Sequence, residues 1–411
     1  FQTKNTSVEI WMDNVSLKSF DAKQWREQQD RSIDRVRKRR LRVHCTKDGR
    51  NIEGAAVKID QTRSHFPIGG GVTAAILNNK SYEEWFTSRF NAATFTNEMK
   101  WYYTQASPGK ENFTVADAMI DLMKKYNISV RGHTVLWNKD TVTPYWVKLL
   151  PKTEIFAAAV AHMANVMLRY SGDVIAWDVL NEDLHYLFYD GILGPNASSI
   201  IFQIAHALDP TTPLFLNEFN TMEFPLDRFA MPHKYVGKVR EIRSFPGNER
   251  IRLKIGLEGH FWDKPILPYI RPALDILAAV NVSVWFTELD TRPGPDQARD
   301  LEAVMREAFS HPAVEGVMVW GAWRPGACND TCLSEVVKNS TLAFTGCGKM
   351  CLVDEGIRNL PPGDTVDGLL REWRTVNATG MTDGDGIYEQ SVFMGGYNIT
   401  CSHPLVAGDG F

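Results

Sequence analysis

The sequence predicts an α/β fold, a (β/α)8 TIM barrel, with a small accessory β-element formed by the N- and C-terminal segments. Eight short apolar runs, each followed by a loop and a segment of helical periodicity, extend over about 260 residues, as is typical of this barrel. Polar side chains gather where the runs end. The runs are residues 66–72, 90–96, 128–137, 174–180, 213–219, 252–261, 282–290 and 314–323.

An open, doubly wound sheet is the rival architecture. It would usually contain fewer strands, and we find no G-x-G-x-x-G phosphate loop of the kind such sheets carry. The triple glycine at 69–71 is too weak a match to replace that loop. The barrel is therefore the predicted fold.

The chain divides into four predicted regions. Residues 1–20 alternate apolar and polar side chains like a strand. Residues 21–65 predict a helix, with Asp21 as N-cap and Gln24 three positions later, and then a β-hairpin whose strands LRVHC and AAVKID are joined by the turn TKDGRNIEG. Residues 66–375 form the barrel, and residues 376–411 are a C-terminal β segment that shares a small sheet with the N-terminal strands.

Composition argues against nucleic-acid and membrane partners. The formal net charge is −4 over 411 residues, and no apolar run approaches the roughly 20 residues that span a bilayer. The basic run RVRKRR, residues 35–40, is interpreted as the solvated end of the first helix. Because the sequence starts at Phe1, we expect a processed or truncated product.

Sequons and cysteines favour a secreted, extracellular protein. Six cysteines are present, and disulfides are favoured over a zinc site for the motifs CNDTC and CGKMC. Cys45 and Cys401 lie in β-like stretches near opposite ends of the chain, and we predict that they pair. Eleven Asn-x-Ser/Thr sequons begin at Asn5, Asn14, Asn79, Asn112, Asn127, Asn196, Asn281, Asn329, Asn339, Asn377 and Asn398.

Two glutamates end equivalent apolar strands. Glu182 follows the run VIAWDVL in the predicted fourth strand, and Glu288 ends the predicted seventh. A single glutamate at a strand end is more often a salt-bridge partner or a helix cap. Two of them, on strands that face each other across one barrel mouth, favour a shared active site, because catalytic residues of this fold lie at the C-terminal ends of its strands.

Two opposed carboxylates suit cleavage of a glycosidic bond. One protonates the leaving oxygen, and the other, ionised, attacks or stabilises the oxocarbenium-like centre. Burial and mutual repulsion can separate their pKa values as this requires. Several tryptophans fall in the same segments and could stack on sugar rings, although for any single one a core position is the better interpretation. They are Trp85, Trp101, Trp137, Trp320 and Trp323.

The motifs around both glutamates resemble a known family. WDVLNE (177–182) and FTELD (286–290) are similar to the catalytic-glutamate motifs of glycoside hydrolase family 10, the endo-β-1,4-xylanases. TNEMKW, RGHTVLW, NEFN, GLEGHF and VWGAW resemble its motifs on strands 2, 3, 5, 6 and 8. The resemblance covers roughly residues 50–375 and is greatest to the plant branch. There, VEIWMDNVSLKSF resembles the last strand of a family 22 carbohydrate-binding module, so residues 1–20 are interpreted as a remnant of that module.

The resemblance implies a role for each residue of the catalytic group. Glu182 is the general acid/base and Glu288 the nucleophile of a retaining, double-displacement hydrolysis of internal xylosidic bonds. Asn181 would bind the sugar 2-hydroxyl. His260 would contact Glu288, and Asp290 would orient that pair.

Further residues are implied to bind the substrate. Asn97, Lys100, His133 and Trp137 would line the glycone subsites, and Trp320 would stack on the sugar at the point of cleavage. The implied partner is xylan or xylo-oligosaccharides, with no nucleic acid and no membrane. We expect a monomer that needs no cofactor and no metal.

Several positions depart from the family's commoner pattern. Thr96 stands where a glutamate is frequent, residues 138–140 (Asn-Lys-Asp) replace His-Ser-Gln, and Glu258 replaces a glutamine. The third carboxylate, Glu258, is expected to raise the pKa of Glu288 by like-charge repulsion.

Two alternative functions stay open at this point. A xylan transglycosylase would pass the same covalent intermediate to a sugar hydroxyl instead of water. A catalytically silent carbohydrate-binding barrel would share the fold without the activity. The presence of both glutamates together with Asn181 and His260 favours an enzyme over the silent barrel.

Overall fold

The computed structural model describes residues 19–329 and 350–404, and at its centre lies a closed barrel of eight parallel strands. The eighth strand pairs with the first, at Val317 and Ile68, which closes the barrel. The predicted TIM barrel is confirmed, and closure excludes the doubly wound rival. The strands are Ile68–Val72, Ala92–Phe95, Ser129–Gly132, Val174–Asp178, Leu214–Glu218, Leu253–Leu257, Val284–Thr291 and Val314–Val319.

Helices surround the barrel and turn their apolar faces toward its strands. In the helix Thr114–Lys125, for example, Ala116, Met119, Ile120 and Met123 are buried, at the three- and four-residue spacing of one helix face. The helices are Ala22–Arg37, Lys80–Thr87, Trp101–Thr104, Thr114–Lys125, Tyr145–Lys148, Lys152–Arg169, Asp190–Leu193, Ala197–Leu208, Pro232–Ser244, Leu267–Ala278, Gln297–Ser310 and Pro361–Glu372, with short 3-10 turns at Ala74–Leu77 and Asp140–Val142.

The barrel interior is filled by side chains and contains a buried ion pair. The Arg131 guanidinium lies over the Phe215 ring, 4.7 Å from its centroid, and forms a salt bridge with Asp178. A small apolar cluster from five strands packs in the same interior: Ala92, Ala176, Phe215, Trp285 and Met318. This filling supports the side chains of the barrel mouth from below the site.

The first helix begins as predicted. The Asp21 side chain accepts from the backbone N–H of Gln24, and the Gln24 side chain accepts from that of Asp21, which is a capping box. The helix ends at Arg37, however, and residues 38–40 already belong to a strand. The interpretation of RVRKRR as a solvated helix end is therefore wrong.

Arg37 anchors the end of this helix. Its side chain is buried and donates to the backbone carbonyls of Phe309, His311 and Val314, each at 2.7 Å. These carbonyls lie at the end of one helix and the start of the eighth strand. The arginine therefore fixes the last turn of the first helix against the barrel.

The two strands after the first helix do not form the predicted hairpin with each other. Lys38–His44 pairs antiparallel with Ile387–Phe393, and Ala56–Ser64 lies between Ala378–Met381 and Gly395–Ser402. Only two-residue strands pair within the intervening turn. The C-terminal strands offer longer ladders and cover both edges of Ala56–Ser64, so more backbone groups are satisfied than in an isolated hairpin.

Two disulfides lie within residues 19–329 and 350–404. Cys45 pairs with Cys401, as predicted, and joins the two chain ends within the accessory element. Cys328 pairs with Cys351, one cysteine from each of the two CxxxC motifs. Their partners in those motifs, Cys332 and Cys347, lie outside the described residues, as does the segment interpreted as a module remnant up to residue 18. Within the described ranges, no helix has the length and apolar character needed to cross a membrane.

Candidate active site

The C-terminal mouth of the barrel holds a cleft of about 470 Å³. Every site residue that the sequence predicted lines this cleft, with the exception of His133. Both predicted catalytic glutamates are among them, and both are nearly buried. Strand ends four and seven thus bring their carboxylates to one cavity.

Glu182 leaves its strand through an unusual backbone conformation. Its φ is +55°, in the left-handed region that few residues other than glycine adopt. Its backbone N–H donates to the carbonyl of Asn217 at 3.0 Å, and the preceding Leu180–Asn181 pairs with Leu136–Trp137. This turn takes the carboxylate out of the apolar strand and places it in the cleft wall.

Glu288 lies at the mouth end of the seventh strand among hydrogen-bond donors. Its Oε1 accepts from Asn217 Nδ2 at 3.1 Å and lies 3.8 Å from His133 Nε2. Its Oε2 lies 3.7 Å from His260 Nε2. The side chain is therefore approached by an amide and two imidazoles, all of which favour its ionised form.

The two carboxyls have opposite pKa shifts. Burial raises the pKa of Glu182 to about 7, and the negative charges of Glu218 and Glu288 add to the effect. Burial also opposes ionisation of Glu288, but His133, His260 and Lys100 outweigh it and lower the pKa of Glu288 to about 2. One carboxyl is thus kept protonated and the other ionised in the same cleft.

Asn217 contacts both Asn181 and Glu288. Its Nδ2 lies 3.0 Å from Asn181 Oδ1 as well as 3.1 Å from Glu288. Its Oδ1 accepts from the Thr287 hydroxyl. Gly256 makes room for it, because a Cβ added at that glycine would lie 2.3 Å from Asn217 Oδ1. The amide therefore has a fixed orientation between the fourth and seventh strands.

His260 and Asp290 form the pair that the sequence predicted. Asp290 Oδ1 lies 2.9 Å from His260 Nδ1, which leaves His260 Nε2 to face Glu288 and Glu258. Although burial lowers the pKa of His260, Asp290 and the two glutamates raise it well above its usual value. The ring is therefore a cation beside Glu288.

Glu258 does not have the effect on Glu288 that the sequence suggested. The expectation was that repulsion would raise the pKa of Glu288, but the pKa of Glu288 is lowered. Burial and the charges of Glu288 and Glu182 instead raise the pKa of Glu258 well above its usual value. The repulsion acts on the carboxyl that has fewer donors around it.

The predicted substrate-binding residues lie around the cleft in different settings. Lys100 is buried, with Nζ 4.8 Å from the centroid of the Trp137 ring. Asn97 is exposed and its Oδ1 accepts from the Tyr102 hydroxyl at 2.8 Å. Trp320 closes another part of the wall at the end of the eighth strand.

His133 lies behind the cleft rather than in its lining. It is 1% exposed, and its Nδ1 is held 2.8 Å from Asp178 Oδ2. The same aspartate binds Arg131 inside the barrel, so His133 is drawn inward. Its remaining nitrogen faces Glu288, and a direct place in the glycone lining, as the resemblance implied, is not what the structure has.

Several lining residues were not predicted. Tyr186 stands four positions after Glu182, Trp262 two after His260, and Arg324 directly after VWGAW, so proximity to the motifs was the available signal. Phe219 also lines the cleft. Lys139, which the sequence singled out only as a departure from the family, has its Nζ 4.4 Å from the centroid of the Tyr186 ring.

Glu218, His185 and Asp227 form a second charged group, behind Glu182. Glu218 is fully buried, and its Oε1 lies 2.6 Å from Nδ1 of His185, whose Nε2 lies 2.9 Å from Asp227. Burial lowers the pKa of His185, but these two carboxylates raise it to about 9. The sequence placed Glu218 at a strand end without giving it a role, and this group helps to keep Glu182 protonated.

In the described part of the chain, one group has the spacing to hold a metal ion. Single donor atoms of Glu258, His260 and Glu288 lie within 4.8 Å of one another. All three residues line the catalytic cleft, where Asn217 and Asp290 are their neighbours, and we assign them no metal.

Comparison with known proteins identifies the family. Residues 59–346 match the model of glycosyl hydrolase family 10. The chain is 37% identical over 415 residues to endo-1,4-beta-xylanase 5-like of Arabidopsis thaliana, with 99% of this chain and 70% of that protein covered. It is 41% identical over 370 residues to endo-1,4-beta-xylanase 4 of the same plant, with 89% of this chain and 62% of that protein covered.

Solved structures support the fold. Xylanase 10B from Thermotoga petrophila in complex with xylobiose has a TM-score of 0.63 and 23% identity, covering 75% of this chain and 94% of that one. A xylanase 10C variant from Cellvibrio japonicus in complex with xylopentaose has a TM-score of 0.61 and 22% identity, covering 77% and 69%. With a family match over most of its length and relatives at this identity, the chain belongs to glycosyl hydrolase family 10.

Proposed function

We propose that this protein is an endo-acting, retaining hydrolase that cleaves internal β-1,4-xylosidic bonds of xylan. The observation that carries the proposal is that Glu182 and Glu288 line one cleft with opposite pKa shifts. The relatives named as endo-1,4-beta-xylanases support the choice of xylan as the substrate. The retaining outcome follows from membership of the family.

The first step uses the two carboxyls in their resting protonation states. The Glu288 carboxylate attacks the anomeric carbon while Glu182 gives its proton to the leaving glycosidic oxygen. The C–O bond to the leaving sugar breaks, and an ester bond to Glu288 forms. Because the pKa of Glu288 is about 2 and that of Glu182 about 7, Glu288 is ionised while Glu182 is protonated between these two pH values.

The second step reverses these roles. Glu182, now ionised, takes a proton from water, and the water oxygen attacks the anomeric carbon of the ester. The bond to Glu288 breaks and both residues return to their starting states. The configuration of the anomeric carbon is inverted twice and is therefore retained.

The remaining roles are those that the family resemblance implies, and positions in or beside the cleft support them. Asn181 would bind the sugar 2-hydroxyl beside Glu288, since Asn217 fixes its side chain. His260, oriented by Asp290, would hold Glu288 in place. Asn97, Lys100 and Trp137 would line the glycone subsites, and Trp320 would stack on the sugar at the point of cleavage. His133 would act on the nucleophile from behind.

Location and assembly are parts of the same proposal. Two disulfides and the sequons support secretion to the cell wall. We propose a monomer, with residues 1–20 as the remnant of a carbohydrate-binding module before the lead-in (21–65), the barrel (66–375) and the C-terminal β segment (376–411).

Incubation with purified xylan and with cellulose tests the proposal. Sizing of the products should show xylo-oligosaccharides of intermediate length from xylan only, and NMR of the first products should show the β-anomer. Release of xylose alone, or of the α-anomer, contradicts it. Longer products after addition of a xylo-oligosaccharide acceptor would identify a transglycosylase, and binding without cleavage would identify a silent barrel.

A further inference from the structure

Glu258 lies directly beside Glu288 in the wall of the cleft. The backbone N–H of Glu288 donates to the carbonyl of Glu258 at 2.9 Å, so the two residues are neighbours across the sixth and seventh strands. One carboxyl oxygen of each and one ring nitrogen of His260 lie within 4.8 Å of one another. Glu258 is only 3% exposed. Two negative charges this close in a site shielded from water repel strongly, which favours a proton on one carboxyl.

The hydrogen-bond donors around the pair are too few for two carboxylates. Asn217 Nδ2 faces three acceptors, Asn181 Oδ1 at 3.0 Å, Glu288 Oε1 at 3.1 Å and Glu258 Oε1 at 3.3 Å. An amide nitrogen has two hydrogens, so one acceptor is left unmatched. The Nε2 of His260 likewise serves both Glu258, at 3.4 Å, and Glu288, at 3.7 Å. A proton on either glutamate supplies the missing donor.

The neighbouring groups decide which carboxyl holds that proton. Among the side chains of residues 19–329 and 350–404, Glu288 has His133 3.8 Å away in addition to the donors that it shares, whereas Glu258 has only the shared ones. The other titratable groups that act on Glu258 or respond to it are Glu182, Lys100 and Tyr235. The negative charge of Glu182, when present, favours the neutral form of Glu258 further.

We propose that Glu258 is a positioning residue that works as a neutral carboxylic acid, so that Glu288 is the only charged carboxylate of the pair. The inference rests on the proposed function, in which Glu288 is the nucleophile. When Glu258 loses its proton at alkaline pH, it competes for the donors of Asn217 and His260 and repels Glu288. The nucleophile is then displaced, and small displacements of reacting groups lower rates strongly.

A substrate with a good leaving group isolates this effect. With 2,4-dinitrophenyl β-xylobioside the leaving phenolate needs no proton, so the pH dependence of kcat/KM no longer reports Glu182. For the unmodified enzyme we expect kcat/KM to fall at alkaline pH even with this substrate. The variant Glu258→Gln keeps a hydrogen-bond donor but cannot ionise, and this alkaline fall should disappear. Glu258→Ala should lower kcat/KM at acid pH by about tenfold and Glu258→Gln by about threefold, since only the latter replaces the donor.

The acid limb of the pH profile of kcat/KM shows whether Glu258 is charged instead. If Glu258 were charged in the working enzyme, Glu258→Gln would remove a negative charge beside Glu288 and shift the acid limb to lower pH, while the alkaline fall would persist. Either result overturns the proposal. The control is Glu154→Gln, an exposed carboxylate on the helix Lys152–Arg169, which should change neither limb. Failure of the unmodified enzyme to cleave the xylobioside would instead contradict the proposed function.

Discussion

Nη2 of Arg131 lies 2.6 Å from Oδ1 of Asp178, and both side chains are fully buried inside the barrel. The other carboxylate oxygen of Asp178 lies 2.8 Å from His133 Nδ1. The Arg131 guanidinium and the His133 ring thus both depend on one carboxylate. Asp178 therefore fixes the position of His133 beside the nucleophile and also stabilises the barrel interior.

Replacement of Asp178 by alanine should therefore destabilise the protein. It leaves the Arg131 charge buried without a partner, and the loss of one member of a buried pair costs about 3–5 kcal/mol. Urea denaturation followed by circular dichroism measures this change. Asp121→Ala, at an exposed helix position, is the matched control and should change the unfolding free energy by less than about 0.5 kcal/mol. An equal loss in both variants would contradict the role of the ion pair.

The catalytic glutamates should show strongly non-additive losses. Glu182→Ala and Glu288→Ala should each lower kcat on xylan by at least about 10³-fold, and the double variant should lose little more, because the two carboxyls act on one bond. Unchanged circular dichroism spectra would show that the fold is intact. Independent, multiplicative losses would contradict a shared step.

A chemical rescue distinguishes the two roles. Glu288→Gly with added azide should form a glycosyl azide of inverted configuration, because azide takes the place of the missing nucleophile. NMR of the product gives the configuration. A product of retained configuration would exchange the assignment of nucleophile and acid.

The activity on xylan should decrease as the pH rises through about 7. Glu182 must be protonated to act as the acid, and its pKa is raised to about 7, so activity is present below this pH and lost above it. Lys139 favours the ionised form of Glu182 and lowers its pKa. Lys139→Gln should therefore move the alkaline limb of kcat/KM upward, by about half a pH unit. A downward shift would contradict the stated direction.

Removal of the Cys45–Cys401 disulfide should lower stability without changing activity. It joins residues 356 positions apart in the sequence and lies in the accessory element, away from the cleft. The double variant Cys45→Ala/Cys401→Ala should lose about 2–5 kcal/mol of unfolding free energy. Calorimetry and a xylan assay at 25 °C, well below the unfolding temperature, measure the two effects. A loss of kcat there would show that the accessory element influences the cleft.

Strand count and the positions of both glutamates were predictable because they depend on local patterns. Apolar runs ending in a polar residue mark barrel strands; Glu182 follows the fourth strand and Glu288 lies in the mouth-side half of the seventh. The sheet shared by the two ends of the chain was expected, but the pairing of Lys38–His44 and Ala56–Ser64 within it was not predictable, because strand periodicity does not identify the neighbouring strand.

The directions of the pKa shifts of Glu258 and Glu288 could not be predicted from the sequence either. The repulsion between Glu258 and Glu288 was foreseen, but its direction depends on the donors that surround each carboxyl. His133 was expected in the cleft because it belongs to the motif RGHTVLW at the end of the third strand. Its contact with the buried Asp178 holds the ring further inside the barrel. Such effects depend on three-dimensional neighbours that come from several strands.

The position of Ala56–Ser64 between two C-terminal strands affects how the protein emerges from the ribosome. This segment is synthesised early, but both of its edges lack partners until the last strands follow it. Unpaired strand edges are prone to wrong association. The strand thus keeps two unpaired edges while the barrel is synthesised, and a chain truncated directly after the barrel would leave both edges uncovered.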